Sequence, residues 1–181
     1  MSFATRSVED RRETHAQLHD RLVHASLEQR DHVVERLKEW SGEGTIRFRP
    51  MVADEVRQLA AIPGVTIGAH TVNHLSLPDN AGLRLSEMTD CQVQLRRVAG
   101  RPVEMFAYPY GAVDRETLAQ ARRFWRWGLS CDDGVLAESF DAARVPRLDV
   151  KPWPVTTFAE RVSRLLEPVA PPRRRTLTLS P

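Results

Sequence analysis

His70 and His74 are the residues whose type and spacing point most directly to chemistry. Four residues apart, they face the same way if the segment makes a helical turn, so both imidazoles can reach one ion. Neutral imidazole nitrogen is a good ligand for Zn²⁺ and its neighbours in the first transition row. Two imidazoles also leave room for a third protein ligand and a water. The competing reading is two loop histidines that hydrogen-bond to backbone, and the HxxxH spacing alone is too short to choose. Their position directly after Val65-Thr66-Ile67-Gly68-Ala69, a short apolar strand, adds weight to the metal reading, because α/β proteins bind ligands where strands end.

Other candidates have plainer explanations. Asp132-Asp133-Gly134 reads first as a turn and only second as a source of metal-binding carboxylates, as does Asp149. Asp10, Asp20 and Asp31 fall on polar faces of helical segments, and Asp54 opens another, which are positions for solvated or capping carboxylates. Cys91 and Cys131 make neither a CxxC knuckle nor a disulfide framework. Trp40, Trp125, Trp127 and Trp153 could stack on sugar rings, but packing is the default for each, with Trp127 expected in the core. Arg147, after Pro146, could orient carboxylates in a site or lie on the surface.

The elements that position the pair alternate between helix and strand. Residues 8–40 carry apolar positions three and four apart (Leu18, Leu22 and Ala25, then Val33, Leu37 and Trp40), which predicts two helices broken near Ser26. Ser41-Gly42-Glu43-Gly44 stops them, and a short helix follows over 54–61. After the strand 65–69 come a helix over 84–99 capped by Gly100, a strand over 103–108, a turn at Pro109-Tyr110-Gly111 and a helix over 115–123 opened by Asp114. A strand over 127–131, a last strand over 144–150 and a helix over 158–166 complete the pattern, which belongs to a parallel α/β sheet or barrel. The tail from Pro168 is rich in Pro and Arg and reads as disordered.

Composition narrows the function. With 181 residues, 41% of them hydrophobic and 28% charged, the chain can bury a core without disulfides. A net charge of +2, with Arg spread among Asp and Glu, argues against a nucleic-acid groove. No apolar run approaches the ~20 residues of a membrane span. Residues 1–30 are too polar for a secretory signal, so a cytoplasmic location is expected on these residues.

The stretch Ile67-Gly68-Ala69-His70-Thr71-Val72-Asn73-His74 resembles the histidine–Ser/Thr–x–x–histidine motif of the polysaccharide deacetylase family, the NodB-homology or carbohydrate esterase family 4 domain. Arg101-Pro102-Val103 and Phe106-Ala107-Tyr108-Pro109-Tyr110-Gly111 are similar to the motif lining one wall of its groove. Arg144-Val145-Pro146-Arg147-Leu148-Asp149-Val150 is similar to the closing segment of a Phe-Ala-Tyr-Pro branch. The resemblance runs from about Arg49 to Val150. It implies a distorted (β/α) barrel and hydrolysis of N-acetyl groups on an amino-sugar polysaccharide or glycoconjugate. It also implies a divalent metal, zinc as the usual ion, held by His70, His74 and an aspartate. By the same resemblance the backbone N–H of Tyr110 is the oxyanion donor, and Tyr108, Pro109, Gly111 and Arg147 belong to the substrate groove.

The departures are equally specific. The family opens on a strand ending in a Thr/Ser-Phe-Asp-Asp motif that supplies the third ligand and the general base, and nothing before His70 reads that way. The family's late histidine is also absent. The expected architecture is therefore an incomplete barrel, with residues 1–44 a helical lead-in, 45–167 a partial deacetylase domain and 168–181 the tail. A chain truncated before the catalytic aspartates is the preferred explanation. The alternatives are an O-acetyl esterase of the same fold, or a complete but inactive remnant that binds sugar and needs a partner chain to cover its open barrel edge.

Overall fold

The computed structural model describes residues 3–42, 49–136 and 138–166. The expected boundary at 44/45 and the Pro/Arg-rich tail lie outside them.

Helix α1 (Val8–Val23) starts at a capping box in which Ser7 and Asp10 satisfy each other's backbone N–H groups, and α2 (Leu27–Ser41) starts at a second one made by Ser26 and Gln29. These boxes place the break between the helices where the sequence predicts it. Helix α3 (Ala53–Ala61) is followed by the segment 65–69, then by α4 (Arg84–Ala99), which ends at Gly100 in the left-handed conformation. Strand β1 (Met105–Ala107), α5 (Arg115–Phe124), β2 (Trp127–Leu129) and α6 (Val155–Leu166) complete the order. Asp114 caps α5 by accepting the Thr117 N–H at 2.7 Å.

β1 and β2 pair in parallel, with Phe106 opposite Gly128. Single bridges extend the sheet on both sides, Ala69 to Phe106 and Val145 to Leu129. Two segments expected as full strands thus contribute one bridged residue each. In the first, the Val65 carbonyl is taken by the Arg101 guanidinium at 2.6 Å, and only Ala69 exchanges backbone bonds with β1. In the second, Pro146 has no N–H to give, and the Arg147 N–H turns to the Asp132 carbonyl at 2.9 Å. The result is a mixed α/β arrangement with a small parallel sheet, and the described residues do not close a barrel. No helix among them is long and apolar enough to cross a membrane.

The core is built on Phe106, which is fully buried between Tyr108 and Trp125, at ring-centroid distances of 5.2 and 5.1 Å. Met88 and Cys91 from α4, Ala121 from α5, and Leu77 and Val103 close around it. Burying one such aromatic contributes roughly 1.5–3 kcal/mol. The buried tryptophan is therefore Trp125, not the expected Trp127, which is half-buried and stacks on Phe140. In β2 the buried, core-facing position is Gly128, so strand alternation turns its neighbour Trp127 to the other face. A Cβ at Gly128 would stand 2.4 Å from the Tyr108 hydroxyl and 2.5 Å from the Ala143 carbonyl, so the glycine makes room for Tyr108 across the strands.

Candidate active site

The chain leaves the sheet at Ala69 and turns at once. His70 and His74 come together with ring centroids 4.6 Å apart and planes at 73°. The helical turn expected for this segment does not form. Instead the pair meets because Thr71 and His74 take left-handed backbone angles, φ 64° and 52°. Tyr110, across the groove, takes φ 59°, and these are the non-glycine residues with positive φ among those described. Each costs on the order of 1–3 kcal/mol and persists only where its surroundings hold it. All of them lie at the same place in the fold.

Two side chains hold the histidine turn. Glu87 of α4, 4% exposed, accepts the Val72 and Asn73 N–H groups on Oε2 at 2.9 and 2.8 Å, and the Asn73 side-chain amide on Oε1 at 2.6 Å. Arg30 of α2 donates through Nη1 to the Asn73 and His74 carbonyls at 3.2 and 3.1 Å, and through Nη2 to the Val23 carbonyl at 2.8 Å. Arg30 thereby ties the α1–α2 hairpin to the histidine loop, as does His24 with Asp79 at 2.9 Å. Neither Glu87 nor Arg30 stands out in the sequence. Both look like ordinary charged positions of amphipathic helices, and only the packing of α2 and α4 on the loop gives them partners.

His70 Nδ1 lies 2.7 Å from the Ala107 carbonyl oxygen. A carbonyl can only accept, so Nδ1 carries the proton and the Nε2 lone pair is left for a ligand. His74 is held below its ordinary pKa, first by partial burial, then by the neighbouring His70 and Arg30. A lowered value favours the neutral imidazole that a metal requires. The Thr71 hydroxyl, between the two, is buried without a hydrogen-bond partner among the described residues.

The opposite wall is the turn Pro109–Gly111 at the end of β1. Gly111 and Ala112 donate their N–H groups to Tyr108 and Pro109 carbonyls, both at 3.0 Å, whereas the Tyr110 N–H makes no such bond among the described residues. Gly111 is required, since its φ is 67° and a Cβ would sit 2.6 Å from that of Cys131. The Tyr110 ring packs edge-on against His74 at 4.6 Å, and His19 of α1 lies 6.0 Å from the same ring.

The remaining expected groove residues divide. Tyr108 is fully buried, and its hydroxyl donates to the Ala143 carbonyl at 2.6 Å, so its side chain belongs to the core and not to a groove wall. Burial pushes its pKa up to about 12. Pro109 is likewise buried beneath the turn. Arg147 is exposed beyond β2, where Nε donates to the Ser130 carbonyl at 2.7 Å and Nη2 approaches Cys131 Sγ at 3.5 Å. It fixes the segment that packs against Gly111. Asp132 is engaged by Arg144 and Ser130, Asp149 by Lys151, and Asp133 lies 3.9 Å from Arg161. Among the described residues no three His, Cys, Asp or Glu side chains form a set that could hold a metal ion.

The sequence profile of one family, described as polysaccharide deacetylase, matches residues 14–125. No curated protein matches the chain. Several solved structures do. The Streptococcus pyogenes deacetylase PplD, solved in complex with acetate, is 21% identical with a TM-score of 0.59, over 68% of this chain and 54% of that one. A polysaccharide deacetylase from Bacillus cereus is 18% identical with a TM-score of 0.58, over 65% of this chain and 38% of that one. IcaB from Ammonifex degensii is 19% identical with a TM-score of 0.55, over 67% of this chain and 56% of that one. At these identities the likeness is one of fold, and the chain spans between 38% and 56% of those proteins' lengths.

Proposed function

The chain belongs to the polysaccharide deacetylase family, and from that premise we propose that it carries the histidine half of a site hydrolysing N-acetyl groups on an amino-sugar polysaccharide or glycoconjugate. One observation carries the reading. His70 and His74 converge at the end of a sheet segment, on a turn held in a strained conformation, and His74 packs against Tyr110 of the Pro109–Gly111 turn. Strain that a protein maintains by dedicated contacts is more often tied to a site than to stability.

The donor set fits two positions of a divalent metal centre, with His70 and His74 as the holders. When bound, such an ion, zinc being the one expected, would supply Lewis acidity toward the acetyl carbonyl and lower the pKa of a water beside it. The residues of this chain do the rest of their share by orientation. His70 is fixed in one tautomer by the Ala107 carbonyl. The Tyr110 N–H is left to donate to the carbonyl oxygen as it gains negative charge. Water adds to the acetyl carbon, the C–N bond breaks, the sugar nitrogen takes a proton and leaves as the amine, and acetate is released.

The third ligand and the general base, in this reading, come from outside these 181 residues, on an earlier portion of the polypeptide that completes a distorted (β/α) barrel. The partnerless Thr71 hydroxyl supports this, since a buried hydroxyl without a partner costs about 1–3 kcal/mol and calls for an acceptor docked beside it. The test is zinc calorimetry and acetate release from N-acetylglucosamine oligomers. The chain by itself binds zinc weakly, and His70→Ala abolishes that binding. A polypeptide extended at its N-terminus releases acetate and loses this on His74→Ala but not on Asp133→Ala. Acetate release that is indifferent to His74, or that requires Asp133, refutes the reading.

A further inference from the structure

The rings at the site do not stop at the histidine pair. Tyr110 packs against His74 at 4.6 Å, His19 approaches Tyr110 at 6.0 Å, and His15 stacks on His19 at 6.2 Å with planes 22° apart. With His70 against His74 at 4.6 Å, five rings follow one another from the end of the sheet out along α1. The four histidines are exposed and Tyr110 is half-buried. His15 and His19 stand one helical turn apart, which puts them on one face of α1. That face is not free to drift, because Arg30 joins the carbonyl of Val23, at the end of α1, to those of Asn73 and His74.

We infer that His15, His19 and Tyr110 form a track for consecutive sugar units of an N-acetylated amino-sugar polymer, leading to the acetyl-bearing unit at His70 and His74. The inference rests on the function proposed above and adds to it where the rest of the polymer lies. The chemistry suits the ligand. A pyranose presents an apolar C–H face that packs on a flat ring, and each ring-to-ring step is on the scale of one sugar. Imidazole nitrogens also donate to and accept from hydroxyl and acetamido groups, as a purely hydrocarbon ring cannot. His15 and His19 are otherwise unexplained. They bury little and cap nothing, and a helix face of this kind would more cheaply carry Lys or Glu. The track also gives the α1–α2 hairpin a role, since neither helix contains a buried residue.

The experiment is calorimetry on the full chain at pH 7.5 without added metal, using N-acetylglucosamine and its β-linked tetramer as probes. The wild type binds the tetramer at least tenfold more tightly than the monosaccharide. The double variant His15→Ala/His19→Ala loses at least fivefold for the tetramer and leaves the monosaccharide unchanged. His19→Phe, which keeps a flat ring, recovers most of what His19→Ala loses, and His32→Ala, an exposed histidine outside the track, behaves as wild type. All these side chains are exposed, so folding is not at issue, and circular dichroism verifies it. Tetramer binding that is length-dependent but unaffected in the double variant overturns the track and leaves the proposed function standing. Binding of the tetramer no tighter than the monosaccharide does the same. A wild type that binds neither sugar overturns the track, and the proposed function is then decided by the acetate-release test alone.

Discussion

Replacing Glu87 by Gln removes one charge and one acceptor from the interior while keeping the shape of the side chain. In the native loop Oε2 receives the Val72 and Asn73 N–H groups and Oε1 receives the Asn73 amide. A glutamine has one acceptor oxygen and one donor nitrogen. With the glutamine oxygen toward the Val72 and Asn73 N–H groups, its NH2 faces the Asn73 amide, which must turn over to accept; without that turn a part-buried N–H faces another donor at about 1–3 kcal/mol, and in either case the surviving bonds lose their charge assistance. The loss is bounded, because the turn can relax and recover part of the strain at Thr71 and His74, roughly 1–3 kcal/mol each. We expect a net destabilisation of about 1–3 kcal/mol, read as a fall in thermal midpoint of about 2–12 °C for a domain of this size. Relaxation also separates the imidazoles, so the zinc affinity of the chain should fall by about tenfold, the usual scale for losing a group that supports metal ligands. Urea denaturation followed by intrinsic tryptophan fluorescence, paired with zinc calorimetry, measures both. A variant within about 0.5 kcal/mol of wild type, with unchanged zinc affinity, would refute the claim that Glu87 holds the turn.

Four further variants test contacts elsewhere in the fold. Arg84 is buried, with a side-chain exposure of 6%, and pairs with the 40% exposed Asp114 at 2.9 Å, so Asp114→Ala should cost about 2–3 kcal/mol in chemical denaturation, the low side of the buried range because half the pair meets solvent. Burial pushes the Asp114 carboxyl up, but the Thr117 bonds and the Arg84 charge outweigh it and leave its pKa lowered. Its stabilisation is therefore present above the unfolded carboxylate value and is lost as pH falls through the folded one. Asp114→Asn should flatten that acid limb of the stability curve. At the other extreme, the raised pKa of Tyr108, about 12 when folded against about 10 unfolded, gives stability that is full below pH 10 and declines as pH rises toward 12. Tyr108→Phe should remove this decline in alkaline denaturation while losing about 1 kcal/mol at neutral pH with the Ala143 bond. Gly128→Ala forces a Cβ into Tyr108 and Ala143 and should destabilise by at least about 1–3 kcal/mol in the same denaturation assay, and a neutral result would mean that the strands part without cost.

The sequence was legible wherever the signal is local. The two capping boxes at Ser7 and Ser26, the glycine stop at Gly100, the Asp114 cap and the helical periodicities settle where helices begin and end, because each is a matter of a few neighbouring residues. The HxxxH spacing after a short strand nominates the histidine pair, and the resemblance to the deacetylase motifs is what adds the Pro-Tyr-Gly turn. Strand extent was not legible. Segments 65–69 and 144–150 have the composition of strands, yet Arg101 and Pro146 divert their backbone groups, and a ladder depends on what the neighbouring chain offers. Core membership followed the same rule. Trp125 rather than Trp127 is inside because Gly128, opposite Phe106, holds the core-facing position of β2 and strand alternation turns Trp127 away. Glu87, Arg30 and His19 reach the site from helices, at 13, 44 and 55 residues from His74 in sequence, with no pattern to announce them. Spacing along a chain encodes which side chains share a face of one element. Which faces meet is decided only by packing, where a carboxylate on α4 and a guanidinium on α2 find the same strained turn and hold two imidazoles together.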